Sequence, residues 1–312
     1  MHLLLRRLLM AIALFVGAIP CSTPVLAGKL ALVIDDFGYR AHNDNQILAM
    51  PTAVSIAVLP NSPNARDVAT RAHAQGREVL IHLPMAPISK QPLEKDTLRP
   101  DMSEAEITRI VREAVNNVPY AAGLNNHMGS AMTASLPGMQ KVMRAMSAYR
   151  LYFLDSMTIG SSQASLAAAG TGIKVLKRKV FLDDSQNVAD IRQQFNRALD
   201  IARRSGYAIA IGHPHPATIT VLQQMLPALP ADVVLVRPSQ LLNEAEPHYQ
   251  PVPTQLAARP APQKRLRPIQ LCTIRQPLPA ISQFELWSRL GQYLSESAGV
   301  RYVQQRWQTW LG

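Results

Sequence analysis

The segment LALVIDDFGYR, residues 30–40, decides how this chain is read. It opens with an unbroken apolar run, Leu30 to Ile34, of the kind that fits a short strand buried on both faces. The run ends on two adjacent carboxylates, Asp35 and Asp36, followed by Phe37-Gly38. Neighbouring residues of a strand point to opposite faces. Two adjacent acids can therefore share one site only where the strand ends and the backbone turns, and Phe37-Gly38 is the expected turn. One carboxylate could then hold a cation while the other takes a proton, because different surroundings separate the pKa values of paired acids.

Similar runs recur along the chain. Residues 54–59, 78–83, 120–125, 151–155, 173–175, 208–212 and 233–236 read as short buried strands. Amphipathic helices are expected between them. In 104–116, Ile107, Ile110, Val111, Ala114 and Val115 make one stripe, with Ser103 and Glu106 as a capping box. In 190–203 the stripe is Ile191, Phe195, Ala198, Leu199 and Ala202, and in 138–148 it is Met139, Val142, Met143 and Met146. A methionine stripe at this spacing is read as core. Alternating strands and helices predict an α/β fold with a mostly parallel sheet, open or closed into a barrel. In either form the carboxyl ends of the strands make the functional face.

Chemistry-bearing residues gather at those ends. Asp35 and Asp36 end the first strand, His82 ends EVLIHLPM, His127 lies in GLNNHMGS, Asp155 ends LYFLDS, and His213 and His215 follow AIAIGHPHP. Carboxylates and imidazoles converging on one rim would repel or stay unsatisfied with nothing between them. A divalent cation accepts both ligand types, and zinc is the expected ion. Held by two His and one carboxylate, it leaves a position for water, whose pKa falls to about 7. Asp155 before Ser-Met-Thr could equally be a helix cap, and Asp183-Asp184 reads as a loop or cap feature. Lys177-Arg178-Lys179 reads as a solvated face, from which Arg178 could reach the rim and hold Asp35.

LALVIDDFGYR, EVLIHLPMAP, GLNNHMGSAMT, YFLDSMT, KVFLDD and AIAIGHPHPATI occur in order between residues 29 and 242. The set resembles the divergent, YibQ-like periplasmic branch of the polysaccharide deacetylases. The resemblance implies a deformed (β/α)7 barrel and metal-dependent hydrolysis of N-acetyl groups on an envelope polysaccharide. It implies Asp35 as base and Asp36 as metal ligand. His82 matches the first of two metal histidines four residues apart, but the second position is Ala86, which cannot ligate. His127 is the expected replacement. The Leu-x-His motif is present as Ile211-Gly212-His213, implying His213 as general acid. His215 could be a substitute ligand or substrate contact. The usual Arg motif is replaced by NNHMGS, whose Asn125 and Asn126 could touch substrate or hold ligands. Ala86 and the missing Arg leave a second reading open, a glycan-binding or scaffolding module that has lost catalysis. Another metal hydrolase, acting on phosphate or peptide bonds, is a third.

The flanks carry different signals. Arg6 and Arg7 precede an apolar run, Leu8 to Ile19, that fits a signal peptide cut after Val25-Leu26-Ala27. Export to the periplasm or beyond is the expectation, with an uncleaved anchor as the alternative. Cys21 lacks the small residue before it that lipidation wants. Cleavage would leave Cys272 alone, so no internal disulfide is expected. The formal charge is +11, of which the leader carries two, residues 245–312 five and residues 28–244 four. An exported basic protein points to anionic envelope polymers or a membrane surface and not to nucleic acid, or else to a charge that only keeps it soluble. Residues 245–281 read as a Pro-rich basic linker and 282–312 as a helical tail holding all three tryptophans. That tail is expected to dock on its own domain, an envelope protein or a membrane surface.

Overall fold

The computed structural model describes residues 27–244. The expectations for residues 1–26 and 245–312 lie outside the described residues.

The described strands are β1 (Gly28–Phe37), β2 (Ser55–Val58), β3 (Val79–Met85), β4 (Ala121–Met128) and β5 (Tyr152–Asp155). They continue with β6 (Val175–Lys177), β7 (Val180–Phe181), β8 (Tyr207–Gly212) and β9 (Val233–Val236). The described helices are α1 (Ala41–Leu48), α2 (Ala65–Ala74), α3 (Glu104–Asn117), α4 (Ser130–Ala134), α5 (Leu136–Met146), α6 (Ala164–Ala167), α7 (Val188–Ser205) and α8 (Pro216–Met225). One sheet runs β6-β5-β4-β3-β2-β1-β8-β7, and every pairing is parallel. β9 pairs with the start of β1, Gly28 to Ala31, on the edge that β2 takes from Val33 onward. This is the expected deformed barrel, with the path ends β6 and β7 not paired to each other.

Side-chain alternation explains two packed layers. Leu30, Leu32 and Ile34 join the large cluster under the helices, while Ala31 and Val33 join Leu80, Leu154, Ile209 and Ile211 in a smaller cluster inside the barrel. Each fully buried Leu or Ile contributes roughly 1.5–3 kcal/mol. The helical stripes of α3, α5 and α7 face the large cluster, the methionines of α5 among them. At the inner floor, Tyr152 donates to Glu78, which also accepts from the Ser239 backbone N–H and hydroxyl. Tyr152 fills the space beside Gly123, where a Cβ would lie 2.5 Å from the ring.

Several boundaries differ from the sequence reading. β6 begins at Val175, two residues later than expected, because the turn through Gly170 and Gly172 has positive φ and Thr171 Oγ1 accepts from Ile173 N–H. α5 begins at Leu136, because Ser135 caps it and Pro137 suits its first turn. Ser103 does cap α3 by accepting from Glu106 N–H. β7 is only two residues long and was not anticipated. Among the described residues no helix is long and apolar enough to cross a membrane.

Candidate metal and catalytic site

The inward-facing positions of four strands turn polar together at their carboxyl ends. Following Ala31 and Val33 on β1 comes Asp35; following Leu80 on β3 comes His82; following Gly123 on β4 come Asn125 and His127; following Ile209 and Ile211 on β8 comes His213. Register places His82 opposite Asn125 and Pro84 opposite His127.

Asp36 breaks the alternation. Its φ is +59°, in the left-handed region, and the β1–β2 register slips between Ile34 and Phe37. This bulge swings Asp36 to the same rim as Asp35. The turn thus falls on Asp36 itself, one residue before the expected Phe37-Gly38, and the strand continues to Phe37. Gly38 completes the manoeuvre with φ +110°, where a Cβ would lie 1.9 Å from Ser62 Oγ. Its N–H donates to Asp44 Oδ2 at 3.0 Å.

Three ligand atoms converge as a result. Asp36 Oδ1 lies 3.2 Å from His82 Nε2 and 3.1 Å from His127 Nδ1, and the two ring nitrogens are 3.1 Å apart. One proton can bridge the nitrogens. Asp36 Oδ1 is buried and makes no hydrogen bond of acceptable geometry, close as both rings are. Burial pushes the Asp36 carboxyl up, but His127 and His82 outweigh it and hold the group well below the usual carboxylate range. The triangle offers one anionic oxygen and two imidazoles, the donor set that suits zinc. An orphaned buried oxygen between two imidazoles is the feature that a cation would complete.

Asn125 ties this triangle to Asp35. Its amide nitrogen donates to Asp35 Oδ1 and Oδ2 at 2.9 and 3.1 Å, and its oxygen faces His82 Nδ1 at 2.9 Å. With Nδ1–H donating to Asn125, His82 Nε2 is directed at the triangle. Asp35 and His82 are each only 2% exposed. Burial raises the Asp35 pKa, against the opposing pull of His82. Burial alone would lower His82, but Asp35 and Asp36 raise it, so the two carboxylates favour positive charge at this ring.

On the far side, His213 Nε2 lies 3.9 Å from Asp36 Oδ2. Asp183 orients it by accepting from the His213 backbone N–H at 2.6 Å and facing Nδ1 at 3.0 Å. Thr218 Oγ1 donates to the same carboxylate at 2.7 Å. Burial would pull His213 down, but Asp183 pushes it up to about 9. Asp183 lies in the loop after β7, as read from sequence, and there acts as a positioning acid for His213, a role that reading did not give it. Its signal, KVFLDD, was hidden by the brevity of β7. Asp183, His213 and His215 also form a ligand-rich group. Both Asp183 oxygens are already hydrogen-bonded, which makes the group a hydrogen-bond relay. The His215 ring sits 5.6 Å from that of His213, and burial lowers its pKa.

Three other expectations change. Asp155 accepts from Met157 N–H and Ser162 Oγ, so it holds the loop after β5 and lies outside the cluster. Asn126 has its amide engaged with Met128 O and Ser156 N–H, which makes it a wall of the site. Arg178 donates to the Ser156 and Met157 carbonyls, not to Asp35, while Asn125 takes the role expected of it. Ala86 lies just past β3 with its backbone bonded to Leu98, Ala131 and Met132. His127 on the next strand supplies the second imidazole. All of this opens into a polar cleft of about 920 Å³ over the strand ends.

A sequence model for divergent polysaccharide deacetylases matches residues 32–242. The chain belongs to that family. It is 60% identical over 296 residues to the uncharacterized protein YibQ of Escherichia coli K12, spanning 95% of this chain and 92% of YibQ. An uncharacterized protein of Haemophilus influenzae is 44% identical over 236 residues, spanning 76% of this chain and 84% of that one. Among solved structures, the uncharacterized protein ATU2773 of Agrobacterium tumefaciens C58 has a TM-score of 0.65 at 19% identity, covering 70% of this chain and 91% of that one. At that identity the likeness shows a shared fold alone.

Proposed function

We propose that this protein is an exported, zinc-dependent deacetylase that removes N-acetyl groups from a cell-envelope polysaccharide. The observation that carries the reading is the triangle of Asp36, His82 and His127, with Asp35 beside it and His213 across from it. Family membership supports the same chemistry.

Asp36 Oδ1, His82 Nε2 and His127 Nδ1 would hold the cation. When bound there, it supplies a Lewis acid that polarises the acetamide oxygen and acidifies water. Asp35, made more basic by burial and steadied by Asn125, takes a proton from water in the cleft. The oxygen of that water adds to the acetamide carbon. The C–N bond then breaks, and His213 passes its Nε2 proton to the leaving nitrogen. Acetate and a free amine result, while Asp35 returns its proton to solvent and His213 regains one.

Acetate release from N-acetylated envelope glycans by the zinc-loaded full chain tests this. Asp35→Asn is expected to keep fold and zinc while turnover falls at least about 100-fold. Undiminished turnover in that variant removes the mechanism. Ala86 at the second histidine position favours a second reading, a glycan-binding or scaffolding module without catalysis. Glycan affinity in a protein that takes up no zinc is its signature.

A further inference from the structure

α7 presents two stripes. Ile191, Phe195, Ala198, Leu199 and Ala202 are buried in the core. Asp190, Gln193, Gln194 and Arg197 recur at i, i+3, i+4 and i+7, and all four line the cleft that contains Asp35, His82, His127 and His213. The second stripe covers about 10 Å of helix at 1.5 Å per residue, the length of roughly two pyranose rings. The cleft therefore runs outward from the triangle along a helix, past the unpaired path ends of the sheet, where Lys179 and Phe181 also line it.

The charges along this tract are unevenly answered. At its deep end, Asp35 and Asp36 face His82, His127 and His213. Farther out, Asp190 accepts from the Ser185 hydroxyl, and Asp184 sits in the field of Arg178. Arg178 has its guanidinium on two backbone carbonyls. Lys179 and Arg197 have no side-chain partner among the described residues. With Asp184 and Asp190 set against Arg178, Lys179 and Arg197, the outer tract keeps a net charge of +1, and its two cations without an ion pair stand beside amide side chains suited to sugar hydroxyls.

We propose that the α7 stripe is a binding tract for an extended glycan bearing carboxylate groups, with Lys179 and Arg197 receiving its negative charge. This deepens the deacetylase reading and rests on it for the position of the acetylated sugar. The test is binding by titration calorimetry, measured apart from acetate release, with the full chain at low salt. The probes are the neutral N-acetylglucosamine hexamer and a hexasaccharide alternating N-acetylglucosamine with glucuronate. The charged probe is expected to bind about 10-fold tighter, a margin that shrinks as salt rises. The Lys179→Ala/Arg197→Ala double variant is expected to bring the ratio of affinities close to one, while Arg197→Lys keeps most of it. Equal affinities in the wild-type chain, or a preference that survives in the double variant, overturn the proposal. A lost acetate release with the charge preference intact would instead count against the deacetylase reading alone.

Discussion

Removing His127 separates the metal-site account from any structural role of that residue. Its Nδ1 lies 3.1 Å from both Asp36 Oδ1 and His82 Nε2, and its side chain is 16% exposed. Partners one layer outside a metal's ligands typically change affinity 10–100-fold. Loss of a ligand itself is therefore expected to weaken zinc at least about 100-fold in His127→Ala. At fixed zinc well above the dissociation constant, 100-fold weaker binding removes about 2.7 kcal/mol of zinc-linked stability. For a domain of this size that is roughly 5–10 °C in melting temperature. The metal-free protein also loses the contacts of His127 with Asp36 and His82, so the zinc-induced shift, not the metal-free melt, carries the test. Thermal melts of wild type and variant, each with chelator and with excess zinc, read both effects. Equal zinc-induced shifts in the two proteins would refute the assignment of His127 as a ligand.

Two further perturbations test other parts of the account. His213 is raised to about 9 by Asp183, above its unfolded value of about 6.5. The stability this contributes is fully present below pH 6.5 and is lost as pH rises through 9. In Asp183→Asn the alkaline limb of kcat/KM should fall from about 9 toward 6.5, and a limb left in place would remove Asp183 from its role. Arg77 is 2% exposed and donates to the carbonyls of Leu48, Met50, Pro51 and Val54 around the end of α1. Arg77→Met removes its bonds to those carbonyls, of which only Pro51 O is known to keep another donor, Val54 N–H, and should cost about 3 kcal/mol, near 6–12 °C in a thermal melt. A loss under 1 °C would contradict that reading.

Strand periodicity made the barrel legible, because parallel strands buried on both faces leave unbroken apolar runs such as Leu30 to Ile34. The rim was legible because five of the eight runs end on or beside an acid or imidazole. The conformation of Asp36 was not, since a left-handed residue leaves no trace in hydrophobic pattern when the residue is Asp and not Gly. Asp183 was missed because two residues of β7 are too few to show a period. Asn125 could be placed at the rim, yet its pairing of Asp35 with His82 depends on the β3–β4 register, which local sequence does not state. Arg178 had the right charge to replace a missing arginine. The bends after β5 gave it two carbonyls instead.

The central claim is that one cation sits between Asp36, His82 and His127. Anomalous diffraction at the zinc edge, from crystals soaked in zinc, tests it most directly. A single peak about 2.0–2.2 Å from Asp36 Oδ1, His82 Nε2 and His127 Nδ1 is predicted. A peak bound instead by Asp183, His213 and His215, or no peak at the strand ends, would contradict it.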